Sequence, residues 1–157
     1  MFARVLRYVR LPLLLILIYA VLRFLMGPVF KAPYAPRGNA VFSVLGLAVI
    51  SGLYFGAMSN RVGRFPWVGT LLTGYTIGLW AQILIFLATL LSYLAGVEAT
   101  SYYTHWDSLN VPEGTAVPMT QAITARAIGL VFGPLLPTVA ALFGRLVFGP
   151  LAPRCDE

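Results

Sequence analysis

The stretch WVGTLLTGYTIGLWAQILIFLATLLSYLAG, residues 67–96, holds 30 positions without one charged side chain. A helix needs about 20 mostly apolar residues to cross roughly 30 Å of hydrocarbon. A core helix of a soluble protein is shorter and keeps a polar face toward water. The stretch therefore reads as a transmembrane helix, and that reading sets the class of the protein. Three further segments meet the same criterion, 11–30, 39–58 and 119–148. The expected fold is an all-α membrane protein, a four-transmembrane-helix bundle filling 1–157 as one integral membrane domain. The links KAPYAPR and SNRVGRFP and the outward loop 97–118 are rich in Pro and Gly, which end helices by interrupting the hydrogen-bond ladder.

Composition agrees with this class. Hydrophobic residues make up 59% of the 157 and charged residues only 10%, where a soluble domain carries about a quarter. The net charge of +6 forms no dense patch, so nucleic acid is not an expected partner. The basic residues instead mark membrane flanks. Arg4, Arg7, Arg10, Arg61, Arg64, Arg145 and Arg154 fall on one side of the four spans, and only Lys31 and Arg37 on the other. Positive charge stays inside, so both termini are expected in the cytoplasm and loop 97–118 outside. MFARVLRYVR followed by an apolar run also resembles a signal peptide. Arg23 and Pro33 spoil the cleavage region, so an uncleaved first helix is expected. The expected location is a bacterial inner (cytoplasmic) membrane, multi-pass.

Three spans carry glycines four apart: Gly52 and Gly56, Gly74 and Gly78, Gly129 and Gly133. Residues at this spacing share one helix face, where small side chains let two backbones approach. These faces are expected to pack helices within the bundle, and on the functional reading at least one of them docks another subunit. Gln82 shares the face of Gly74 and Gly78, and an amide at mid-membrane needs a hydrogen-bonding neighbour. Pro134 and Pro137 in FGPLLP predict a kink in the last span.

Arg23 and Arg126 interrupt apolar sequence, each roughly 10 Å below the outer end of its helix at 1.5 Å per residue. Charge at that depth calls for partners. Glu98, at the outer end of the third span, is the internal candidate, and an anionic lipid or cofactor headgroup the external one. No acidic residue lies inside a span, which argues against cation or proton transport.

Outside lies SYYTHWDSL, residues 101–109, with the only histidine. Tyr93, Tyr102, Tyr103 and Trp106 suit an aromatic belt at headgroup level. His105 is the one candidate cofactor ligand. It could ligate haem iron or chlorophyll magnesium, and a bis-histidine haem would need its second ligand from another subunit, so the cofactor stays unknown. Ser101, His105 and Asp107 crowd one short loop without the scaffold of a catalytic relay. Cys155 has no partner for a disulfide, and no metal site can be drawn. The sequence has no P-loop, Rossmann or HExxH motif, so no enzyme is expected. It reads as an accessory or scaffold subunit of a larger membrane complex, an energy-converting one among the candidates. Its partners would be membrane lipids and other membrane subunits or further copies of itself. The alternative is a stand-alone binder or carrier of a lipid or small anion through Arg23 and Arg126.

Overall fold

A computed structural model describes residues 1–26, 30, 43–96 and 117–153. Every regular element among them is helical: α1 Phe2–Tyr8, α2 Arg10–Phe24, α3 Val44–Met58, α4 Trp67–Leu94, α5 Met119–Phe132 and α6 Leu135–Val147, then a single 3₁₀ turn, Gly149–Leu151. Two helices are long and apolar enough to cross a membrane, Trp67–Leu94 with 28 residues and Met119–Val147, α5 and α6 taken together, with 29. The other two expected spans have a different form. The segment expected at 11–30 is described as α2, which forms with α1 before it a pair bent by 60°. Of that expected at 39–58, the described residues form a helix of 15 residues, Val44–Met58, about 22 Å long.

Each of these shapes has a local cause. Pro12 has no N–H for the Tyr8 carbonyl, and its ring crowds that carbonyl, so the ladder opens at Val9 (φ −92°, ψ 7°) and the helix turns. The Ser43 hydroxyl caps α3 by accepting from the Gly46 N–H at 3.1 Å. Gly96, at φ +69°, takes the left-handed conformation that closes α4, and its N–H reaches the Tyr93 carbonyl at 3.0 Å. In the last span Pro134 and Pro137 leave the Leu130 and Gly133 carbonyls without helical donors. Gly133 (φ −59°, ψ −37°) and Pro134 (φ −64°, ψ −19°) nonetheless keep helical dihedrals. The interruption is local and the chain runs on in one 29-residue span.

The core is built around α6. Its Pro137, Thr138, Ala141 and Gly144 are buried between α3 and α4. The contacts are backbone to backbone. A Cβ added at Gly52 would stand 2.6 Å from the Pro137 carbonyl oxygen, one at Gly74 2.6 Å from the Thr138 Cα, and one at Gly78 2.7 Å from the Pro134 Cα. A Cβ at Gly56 would overlap the Ala141 backbone, and one at Gly144 the Leu53 carbonyl. Lipid supplies no hydrophobic drive between helices, so close dispersion contact of this kind is what holds them together.

The bent pair leans on the other side of α4. Val5, Val9, Ile16 and Ala20 share a buried cluster with Ala48, Ile77 and Ala81. Two hydrogen bonds fix it. The Trp80 indole donates to the Leu13 carbonyl at 3.0 Å, and the Tyr8 hydroxyl donates to the Phe55 carbonyl at 2.9 Å. The Phe55 carbonyl is open to Tyr8 because the Ser59 N–H turns to Gly56, at 3.2 Å, as α3 tightens at its end.

Candidate functional site

The densest polar assembly among the described residues sits where α3 ends, α4 begins and α6 ends. Arg145, in the last turn of α6, donates to the Phe65 carbonyl at 3.0 Å and to the Thr70 hydroxyl at 2.6 Å. Its second terminal nitrogen reaches the Asn60 side-chain oxygen at 3.4 Å, and its guanidinium lies over the Trp67 ring, 4.2 Å from the centroid. Ser59 and Thr70 are 2.7 Å apart, and the Ser59 hydroxyl donates to the Gly56 carbonyl at 2.7 Å. A hydroxyl has one hydrogen, so Thr70 donates to Ser59. The result is a directed chain from Arg145 through Thr70 and Ser59 to the Gly56 carbonyl near the end of α3, each link polarising the next.

Two cavities flank this chain. One, about 370 Å³, is lined by Asn60, Arg61, Trp67, Arg145, Gly149 and Pro150. The other, about 490 Å³, lies across the 59–66 loop and is lined by Arg4, Arg7, Tyr8, Gly63 and Phe65. Arg61 donates to the Ala152 carbonyl at 2.6 Å, tying the loop to the chain beyond α6. Arg64 in the same loop adopts φ +50°, uncommon for a side chain other than glycine. In the sequence Arg61, Arg64 and Arg145 read only as charge markers. A signal for Arg145 was present: it stands four residues after Ala141 and eight after Pro137, on the packed face of its helix.

The residues singled out from sequence are distributed as follows. Gly52, Gly56, Gly74 and Gly78 all face α6. A Cβ at Gly133 would overlap the Gln82 amide, and one at Gly129 would stand 3.3 Å from its Oε1. Gln82 thus lies beside the interrupted ladder at Pro134, and every one of the six glycines is occupied by this chain's own atoms. Arg23 is buried, at 5% exposure, one turn beyond Ala20; Phe24 next to it packs on Ala88. Arg126 is half-buried between Ala122, which clusters with Tyr93, and Gly129, which meets Gln82. Both arginines therefore lie level with the 85–89 turn of α4, on different helices. Their expected partner Glu98 lies outside the described residues, as do His105, Asp107, Cys155 and all other acidic residues of the chain.

Tyr93 differs from its expected place in the aromatic belt. It is turned inward at 9% exposure, and its hydroxyl donates to the Val117 carbonyl at 2.8 Å. A phenol at the end of a helix satisfies its O–H on whichever carbonyl is nearest, and here that carbonyl begins the next helix. Among the described residues no group of three His, Cys, Asp or Glu side chains could hold a metal. What the site offers chemically is fixed positive charge beside apolar surface. Set against known proteins, the chain matches no family model, no curated protein and no solved structure.

Proposed function

We propose that the chain is a non-catalytic subunit of a larger assembly in a bacterial inner membrane, crossing it four times with both termini in the cytoplasm. The observation that carries this reading is the thin packing of α5, which meets the described core mainly along α4. Of its 14 residues only Ala122 is buried, although it forms the outer half of a spanning helix. Thr120, Gln121, Thr124, Ala125 and Ile128 line a groove of about 420 Å³ on its free side. Small and hydrogen-bonding residues on a lipid-facing surface are what a second transmembrane helix uses for association. The glycine rows are already filled by this chain, so the docking face is α5 rather than those rows. The charge asymmetry across the spans supports the four-pass topology, with α1 and α2 together counting as one bent crossing.

The test is disulfide and maleimide cross-linking from Thr124→Cys in a Cys155→Ser background, in native membranes, followed by mass measurement of the particle in mild detergent. A second polypeptide joined at position 124 and a particle larger than one chain are expected. A single uncrosslinked chain of 17.1 kDa would refute the subunit role. The second reading, a binder of a lipid or small anion, draws support from the burial of Arg23 at the same level as Arg126. On that reading the same preparation retains phosphorus that Arg126→Gln loses.

A further inference from the structure

We infer that the end of the molecule around Arg61 and Arg145 is a site for one anionic phospholipid, its phosphate held by the two arginines and one acyl chain laid along α3. The inference requires the chain to lie in a membrane but not that it be a subunit. The first observation is the cavity of about 370 Å³, walled by Asn60, Arg61, Trp67 and Arg145. Arg145 is held rigidly by Phe65, Thr70 and the Trp67 ring, so its remaining N–H groups point in a fixed direction. No described residue is acidic, so no described carboxylate neutralises this charge.

The second observation is independent. A groove of about 430 Å³, lined by Ile50, Leu53, Tyr54, Met58, Phe148 and Leu151, runs along the outer face of α3. The two adjoin at the Gly149–Leu151 turn: Gly149 and Pro150 line the basic cavity, and Leu151 lines the groove. The Arg61 bond to Ala152 holds that turn in place. From Met58 to Ile50 the groove descends about 12 Å along the helix, away from the charged end and toward mid-membrane. An occupant must be anionic at one end, apolar along its length and aligned with the helices. A membrane phospholipid fits all three conditions, and basic pockets between helices at the cytoplasmic surface are suited to such headgroups. A free phosphate would leave the groove unused.

The experiment is native mass spectrometry of the full chain released from nanodiscs of equal parts dioleoyl phosphatidylglycerol and dioleoyl phosphatidylcholine. One phosphatidylglycerol is expected to be retained in preference, by about 25-fold for two arginine contacts of about five-fold each. Arg61→Gln should reduce the preference to about five-fold. Arg7→Gln, which removes the same charge from the other cavity, should leave it unchanged. Ile50→Trp, at a position 65% exposed and outside the core, should lower retention by filling the groove, and it keeps the test available should Arg61→Gln not fold. Equal retention of the two lipids, equal loss from Arg7→Gln and Arg61→Gln, or full displacement by millimolar inorganic phosphate would each overturn the inference. The cross-linking at position 124 is read on the opposite half of the molecule, so either result can fail alone.

Discussion

The Gly56→Ala substitution tests the packing around α6 most directly. The new methyl would overlap the Ala141 backbone and stand 2.6 Å from its carbonyl carbon, where ordinary contact begins at 3.4 Å. Backbone cannot rotate aside as a side chain can, so α3 and α6 must separate by about 1 Å, a gap that forfeits a quarter to a half of each dispersion contact along the seam. Gly52 against Pro137 and Gly144 against Leu53 share that seam and lose contact with it. Overpacking of this kind costs about 1–3 kcal/mol, and with three close approaches in one seam about 3 kcal/mol is expected. Gly129→Ala is the control. Its methyl would meet the Gln82 Oε1 at 3.3 Å, the far end of a side chain that can shift. Its effect should stay within about 0.5 kcal/mol. Unfolding by sodium dodecyl sulfate in mixed micelles, followed by circular dichroism, gives both free energies. Equal midpoints for Gly56→Ala and wild type, or equal losses for both alanines, would refute the argument that backbone contact at α6 holds the bundle.

Two further substitutions probe single interactions in the same assay. Tyr93→Phe removes the hydroxyl that reaches Val117 and leaves that carbonyl without its donor; a loss of about 1–2 kcal/mol is expected, and an unchanged midpoint would show that α5 is held without it. Arg145→Lys keeps the charge but lacks the planar fork that serves Phe65 and Thr70 together and stacks on Trp67. It should cost about 2 kcal/mol, and a lysine variant as stable as wild type would reduce Arg145 to a surface charge.

Much of the helical layout was legible in the sequence, because an uncharged apolar run of spanning length has few alternatives. The expected span 67–96 is the helix Trp67–Leu94, and 119–148 is Met119–Val147. The first segment was legible only from Leu11 onward. Arg4, Arg7 and Arg10 marked what precedes it as a flank, whereas it folds as α1 and turns at the carbonyl that Pro12 cannot serve. The glycine spacing located packed faces on α3 and α4 but not what lies against them. That answer, α6, depends on pairing distant segments, which periodicity along one helix does not encode. The Arg145 assembly was hidden for the same reason, since Phe65 and Arg145 are 80 residues apart. Arg23 and Arg126 were legible as charges at similar depth because depth follows from counting residues along a helix.

The helix at the centre of the fold is made after both of the helices it packs between. A ribosome delivers α3 and α4 first, and their glycine seams face open lipid until α6 emerges. During that interval Gly52, Gly56, Gly74 and Gly78 form two shallow troughs with nothing to fill them. The α3–α4 pair is therefore poor in contacts until α6 is made. Arg145 then reaches the loop at Phe65, and the wedge between α3 and α4 closes.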